Sequence, residues 1–288
     1  MSAHAPLGRQ PTVEWQVAGA CNYDCSYCIQ SPTYRRGRPD REQLERAVRA
    51  LAELPGSWEI KCSGGEAFAH PLFLDVVVPG LMQRTAHRIS VLTNFSASRD
   101  ELARFVSLTR GRLVVFSASL HLEFAEVDAF VEKARWFVAE ADPGLRFVVN
   151  QVVLPGREAE AQLCKDRVGA AQLRWFPQLY KTGGGIAEYG DAPDEVDALR
   201  ALIGDSPGPR DANVAPSYHG RACWAGVDYF TVDKDGTAWS CRTAKRHKAG
   251  QLGNLYDGTV LRWTTPSPCP YRICPCTVPA NRGMIEGI

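Results

Sequence analysis

An α/β fold is predicted for this chain: a partial (β/α)6 TIM-like barrel followed by a small cysteine-rich β-hairpin domain. Three observations predict it. Apolar strand-like runs alternate with helical stretches over residues 13–179, at the spacing of βα units. A Pro/Gly-rich stretch, Ser206–Pro216, then interrupts the pattern. Beyond it come short strands and a proline-rich tail without regular periodicity, where a metal can substitute for a hydrophobic core.

Strand one spans Val13–Ala18 and delivers the first cysteine loop. The first helix runs from a capping Asp40 to Leu54; Leu44, Ala47, Val48 and Leu51 form its apolar stripe, and Pro55-Gly56 stops it. Strand two, Trp58–Cys62, leads through Gly64-Gly65-Glu66 to a helix starting near Pro71. Strands three to six are Arg88–Thr93, Leu113–Ser119, Arg146–Val153 and Leu173–Leu179, with helices Arg99–Leu108, Ala125–Ala139 and Arg157–Val168 between them. After Gly183-Gly184-Gly185 and a short helix, Asp194–Leu202, strands Val227–Val232 and Thr237–Ser240 flank the turn Asp233–Gly236 as a hairpin. The expected division is a barrel over residues 1–190, a linker over 191–219 and a cysteine-rich domain over 220–288.

Composition bounds the function. With 45% hydrophobic and 23% charged residues, the chain is of ordinary globular type. A chain of 288 residues buries about three quarters of its unfolded surface. The net charge of +1 gives no broad basic surface for nucleic acid. Neither a membrane-spanning apolar run nor a signal peptide is seen, so the expected location is cytoplasmic, and the clustering of the cysteines toward the two ends of the chain favours metal ligation over disulfides.

Cys21-x3-Cys25-x2-Cys28 has roughly a one per cent expectation of arising by chance from ten cysteines. Three thiolates on a short loop, with backbone N–H groups between them, suit three irons of a cubane cluster and leave the fourth iron without a protein ligand. A structural zinc site requires four ligands, and no fourth Cys or His lies near this loop in sequence. Gly64-Gly65-Glu66 follows one βα unit later; its glycines let the backbone approach a ligand, and its carboxylate suits an ammonium group.

Cys21, Cys25 and Cys28, with Tyr27 just before the last, resemble the signature of the radical S-adenosylmethionine (radical SAM) superfamily. Gly64, Gly65 and Glu66 resemble that family's GGE motif, which binds the methionine amino group of SAM. The resemblance implies a [4Fe–4S] cluster with an open iron, SAM chelated to it, and reductive cleavage to methionine and a 5′-deoxyadenosyl radical. It also implies an electron donor such as flavodoxin or ferredoxin, and Tyr27 beside the adenine.

Functional groups gather at the carboxyl ends of such strands. That rule nominates Thr93 and Asn94, then Ser117, Ser119 and His121, then Asn150 and Gln151 as candidate functional groups, with Asn94, Ser117, Ser119 and Asn150 as the candidate cofactor contacts. Ser119-Leu120-His121 resembles the family's Ser-hydrophobic-Asp segment, with His where Asp is usual and without the Arg expected downstream.

The C-terminal region, including Gly253-Asn254-Leu255, resembles the SPASM or shorter twitch extension of radical SAM enzymes. This implies a second [4Fe–4S] cluster held by Cys223, Cys241 and two of Cys269, Cys274 and Cys276; a structural zinc is the alternative. Cys62, at a strand end, and Cys164 are candidate hydrogen-atom donors if the reaction is an epimerisation; packing as small hydrophobes is the other reading.

The expected function is oxidation or epimerisation of a small polar metabolite, because the chain starts almost at strand one without room for an N-terminal peptide-recognition domain. Modification of a ribosomally made peptide is the second reading, and a non-catalytic iron–sulfur or zinc protein the third.

Overall fold

The computed structural model describes residues 8–182, 185–186, 193–203, 217–272, 274 and 277–287. Six βα units are present: β1 Thr12–Ala18, α1 Arg41–Ala52, β2 Glu59–Gly64, α2 Val78–Arg84, β3 Arg88–Thr93, α3 Arg99–Thr109, β4 Leu113–Leu120, α4 Val127–Glu140, β5 Arg146–Val153, α5 Glu158–Ala170 and β6 Arg174–Leu179, where the sixth strand leads to the two-residue strands β7 Lys181–Thr182 and β8 Gly185–Ile186 and then α6 Pro193–Ile203. The C-terminal region contributes β9 Ala222–Cys223, β10 Tyr229–Val232, β11 Thr237–Trp239, α7 Arg242–Arg246, β12 Gln251–Asn254, β13 Ser267–Pro268 and α8 Thr277–Asn281.

Local chemistry explains the helix starts. Asp40 caps α1 in a reciprocal capping box with Gln43, and Ser98 does the same for α3 with Glu101. The helix expected near Pro71 instead begins with a π-helical turn, Phe73–Val77, before α2. Pro79 has no N–H to give to the carbonyl four residues earlier, and the widened turn accommodates the missing bond.

One nine-stranded sheet has the order β12-β11-β10-β1-β2-β3-β4-β5-β6. β1 to β6 run parallel, as the alternating pattern predicts. The hairpin β10–β11 does not stand apart from the barrel: β10 pairs in parallel with β1, from Thr12↔Tyr229 to Trp15↔Val232. β1 would otherwise present a bare edge of N–H and C=O groups, and β10 covers it. The Thr231 hydroxyl adds a hydrogen bond to the Glu14 carbonyl, and Phe230 meets Trp58 edge-on.

Alternation separates the two faces of the sheet. Val13, Trp15, Ile60, Cys62, Val91, Phe116 and Val149 pack against the helices, in a core that includes stacked and edge-on contacts among Phe95, Phe116, Phe137 and Phe147. The opposite face carries Glu14, Lys61, Ser90, Ser117, Asn150 and Arg174, which line a common cavity of about 280 Å³. The sheet therefore curves around that cavity, with β6 and β12 as its edges. No helix among the described residues is long and apolar enough to cross a membrane.

Candidate active site

The cysteine loop leaves β1 and is pinned at its root by backbone. Gly19 and Ala20 N–H groups donate to the Gly37 carbonyl at 2.9 and 3.1 Å, so the loop returns to its own start. Gly65 N–H donates to Ala18 O at 2.8 Å and Glu66 N–H to Ala20 O at 2.9 Å, tying the end of β2 to the same place. A Cβ on Gly64 would stand 2.2 Å from Ala18 O, and one on Gly65 2.2 Å from Gly19 O. The two glycines thus permit a close approach between two stretches of backbone, the ends of β1 and β2.

Glu66 is fully buried. It accepts hydrogen bonds from Phe68 N–H at 3.0 Å, the Thr93 hydroxyl at 2.8 Å and Asn94 N–H at 2.6 Å. Burial nevertheless pushes its carboxyl up to about 7, because three neutral donors do not fully replace water around the charge. An ammonium group nearby would restore the ionised form.

Cys21, Cys25 and Cys28 are free thiols. Burial raises the Cys21 thiol and pushes Cys25 up to about 11, and in each case the neighbouring thiols add to the rise. Such mutual repulsion is what a cationic iron core would relieve, so the donor set fits a cluster. Asn94 Nδ2 lies 2.9 Å from Asn22 Oδ1 and 3.8 Å from Cys21 Sγ, which places Asn94 against the loop. The Tyr27 hydroxyl and His121 Nδ1 are 2.8 Å apart, and Cys25 Sγ lies 3.6 Å from the same nitrogen. Burial holds the His121 imidazole down to about 4, so it is neutral at physiological pH. Glu123 accepts from Ser26 N–H at 2.9 Å and also meets the Ser26 hydroxyl.

Ser117, Ser119 and Asn150 all face the cavity, with Ile29 of the cysteine loop at its rim. Asn150 Nδ2 is buried with no partner among the described residues, a donor that suits a polar ligand. Gln151 lies on the other face of β5 and accepts from Trp175 Nε1 at 3.0 Å.

Of its two readings, Cys62 takes the packing of a small hydrophobe. It follows cavity-facing Lys61 and therefore points the other way, into the core beneath the helices, where burial pushes its thiol up to about 12. Cys164 is likewise buried in the core, on α5. Neither thiol faces the cavity.

The second cysteine group is assembled by several elements. β9 pairs with β13 in the register Cys223↔Ser267, and the backbone links Cys269 to Arg221 and Gly220. Cys223, Cys269 and Cys274 share a buried cluster with Tyr218, Tyr229 and Met284, and Cys241 packs against it. Burial, with Cys269 and Cys274 adding to it, pushes the Cys223 thiol up to about 11. Cys241 Sγ accepts from Ala244 N–H at 3.2 Å and caps α7. Three buried sulfurs and the half-buried Cys241 thus gather in one part of the fold. Cys276 lies outside the described residues. No three His, Cys, Asp or Glu side chains among the described residues close to the spacing of a single metal ion.

Two features escaped sequence reading. Arg242, Thr243 and Arg246 of α7, with Val278, Asn281 and Arg282 near the C-terminus, line the cavity at the amino-terminal rim of the sheet. Arg242 reaches Glu14 at 3.2 Å and Arg282 reaches Glu59, the first residue of β2, at 2.6 Å. Lys234 in the hairpin turn donates to Tyr34 O at 2.6 Å, which ties the C-terminal region to the return of the cysteine loop. An unmatched Glu inside a strand, such as Glu14 or Glu59, was the available sequence signal.

No family model matches the chain, and no curated protein matches it. Among solved structures, native anSMEcpe with bound AdoMet is similar at 18% identity and a TM-score of 0.60, over 86% of this chain and 79% of that one. The same protein with AdoMet and the Cp18Cys peptide gives 18% identity and a TM-score of 0.59, over 86% and 79%. Streptococcus suis SuiB bound to precursor peptide SuiA gives 13% identity and a TM-score of 0.62, over 88% of this chain and 65% of that one. The chain thus spans a little under two thirds of SuiB. At these identities the likeness is one of fold, shared with anSMEcpe and SuiB.

Proposed function

We propose that this chain is a radical SAM enzyme that oxidises or epimerises a small polar metabolite. One observation carries the reading. A single cavity has the Cys21–Cys28 loop at one end, through Ile29, and at the other the helix that Cys241 caps. A cluster on Cys21, Cys25 and Cys28 would supply one-electron cleavage of bound SAM to methionine and a 5′-deoxyadenosyl radical. The protein's part is to position and to exclude. Glu66 would receive the methionine ammonium, Ser117, Ser119 and Asn150 would meet polar groups of SAM, and Tyr27 would flank the adenine. The curved sheet, with α7 and α8 residues at its amino-terminal rim, would help to shield the reacting carbon from water.

Cys223, Cys241, Cys269 and Cys274, with Cys276 as the alternative fourth ligand, would hold a second [4Fe–4S] cluster. Its place beside the cavity suits an electron acceptor, which favours oxidation, and no cavity-facing thiol supports epimerisation through Cys62. A donor such as flavodoxin or ferredoxin would supply the reducing electron, and the barrel, 1–190, and the cysteine-rich region, 220–288, would each hold one cluster while sharing one sheet. Modification of a peptide is the second reading, favoured by the peptides bound to anSMEcpe and SuiB. The small cavity favours the metabolite.

The test is anaerobic incubation of reduced, reconstituted protein with SAM. Release of 5′-deoxyadenosine is expected, and Cys25→Ala should abolish it; a mere electron carrier would release none. A product two daltons lighter than substrate indicates oxidation, while solvent deuterium at one carbon indicates epimerisation.

A further inference from the structure

The cavity is electrostatically lopsided. Lys61, Arg146, Arg174, Arg242, Arg246 and Arg282 line it, whereas Glu14 is the only carboxylate on its wall among the described residues. Glu14 takes Lys61 at 3.1 Å and Arg242 at 3.2 Å, and Glu59, just outside the wall, takes Arg282 at 2.6 Å. Arg146 and Arg242 make further interactions of their own. Arg174 and Arg246 have no carboxylate partner among the described residues.

Unpaired polar atoms point to the same region. Arg282 is only 8% exposed, yet its Nε is buried without a hydrogen-bond partner, as is Asn281 Oδ1 beside it. A native interior rarely leaves such groups unmet, so this end of the cavity is suited to a polar ligand.

The positive charge is set away from the cysteine loop. Arg146 and Arg174 begin β5 and β6, and Asn150 and Gln178 lie four residues further along. At the usual strand rise that is about 13 Å. The methionine carboxylate of a SAM held at the cysteine-loop end would not reach Arg146 or Arg174. An anionic group on the substrate would give Arg174 a partner at that end of the cavity.

We propose that the substrate is a small molecule carrying a phosphate or paired carboxylates, with its anionic end against Arg174, Arg246 and Arg282 and its reacting C–H toward the cysteine loop. The proposal rests on the radical SAM reading above. Guanidinium groups favour phosphate and carboxylate because their donors match two oxygens at once.

The test is calorimetric titration of the full, anaerobically reconstituted chain with SAM present, at constant ionic strength. The probes are inorganic phosphate, citrate and neutral glucose. At least one anion should bind tenfold or more tightly than glucose. Arg174→Gln and Arg246→Gln should each weaken that binding about fivefold or more, and Arg174→Lys, which keeps the charge and loses the two-pronged donor, should fall between Arg174→Gln and the wild type. Tighter phosphate assigns a phosphoryl group, and tighter citrate assigns carboxylates. Equal affinity for neutral and anionic probes, or anion binding unmoved in both glutamine variants, overturns the proposal. Melting curves show whether each variant is folded, and the exposed position of Arg246 keeps one arm clear of folding effects. Release of 5′-deoxyadenosine by the wild-type preparation is read separately. If it is absent while anion binding follows the arginines, the radical reading fails and the anion site stands; the converse removes the anion site alone.

Discussion

Glu66 gives the sharpest quantitative prediction. Its carboxyl is fully buried and raised from the ordinary 4.5 to about 7. A shift of that size corresponds to about 3 kcal/mol of folding free energy. The sign follows from proton binding. Between pH 4.5 and about 7 the native state holds a proton that the unfolded state has released, so stability falls as pH rises through this window. Below pH 4.5 the full contribution is present, and above about 7 it is gone. The perturbation is Glu66→Gln, which keeps the shape and removes the titration. The assay is thermal melting of wild type and variant from pH 4.5 to 8.5 without SAM, taking the difference so that other groups cancel. The difference should move by about 3 kcal/mol against the wild type as pH rises, a shift in Tm on the order of 6 °C or more. With SAM bound, an ammonium beside the carboxylate should shrink that change, and SAM affinity should improve from pH 6 to 8 in the wild type alone. A flat difference across the whole range would refute the idea that Glu66 sits in a desolvated site.

Other outcomes follow from particular contacts. Gly65→Ala places a methyl group 2.2 Å from a backbone oxygen that cannot swing aside, so stability should fall by about 1–3 kcal/mol and iron binding should suffer; an unchanged melt and iron content would contradict the backbone tie. Cys241→Ala should reduce iron from about eight to about four atoms per chain and stop product formation, and an unaltered iron count would remove Cys241 from the second site. Phe116→Ala empties a fully buried position between Phe137, 4.1 Å away, and Phe147, 5.6 Å away, and should cost about 3–5 kcal/mol in denaturant titration.

Much of this molecule was legible in its residue order. Period-two and helical patterns are local properties, so the six parallel strands and their helices could be placed to within a few residues. Cys21, Cys25, Cys28 and Gly64-Gly65-Glu66 were conspicuous because their spacing is short, and strand-to-loop order put both motifs at the carboxyl rim. What no local pattern encodes is which distant segments meet. The pairing of β10 with β1, the facing of Cys62 away from the cavity, and the Arg242 and Arg282 contacts to Glu14 and Glu59 depend on register and curvature. A one-residue change of register reverses every side chain in a strand, so the cavity's charge exists only once the strands are paired in register and the sheet has curved around it.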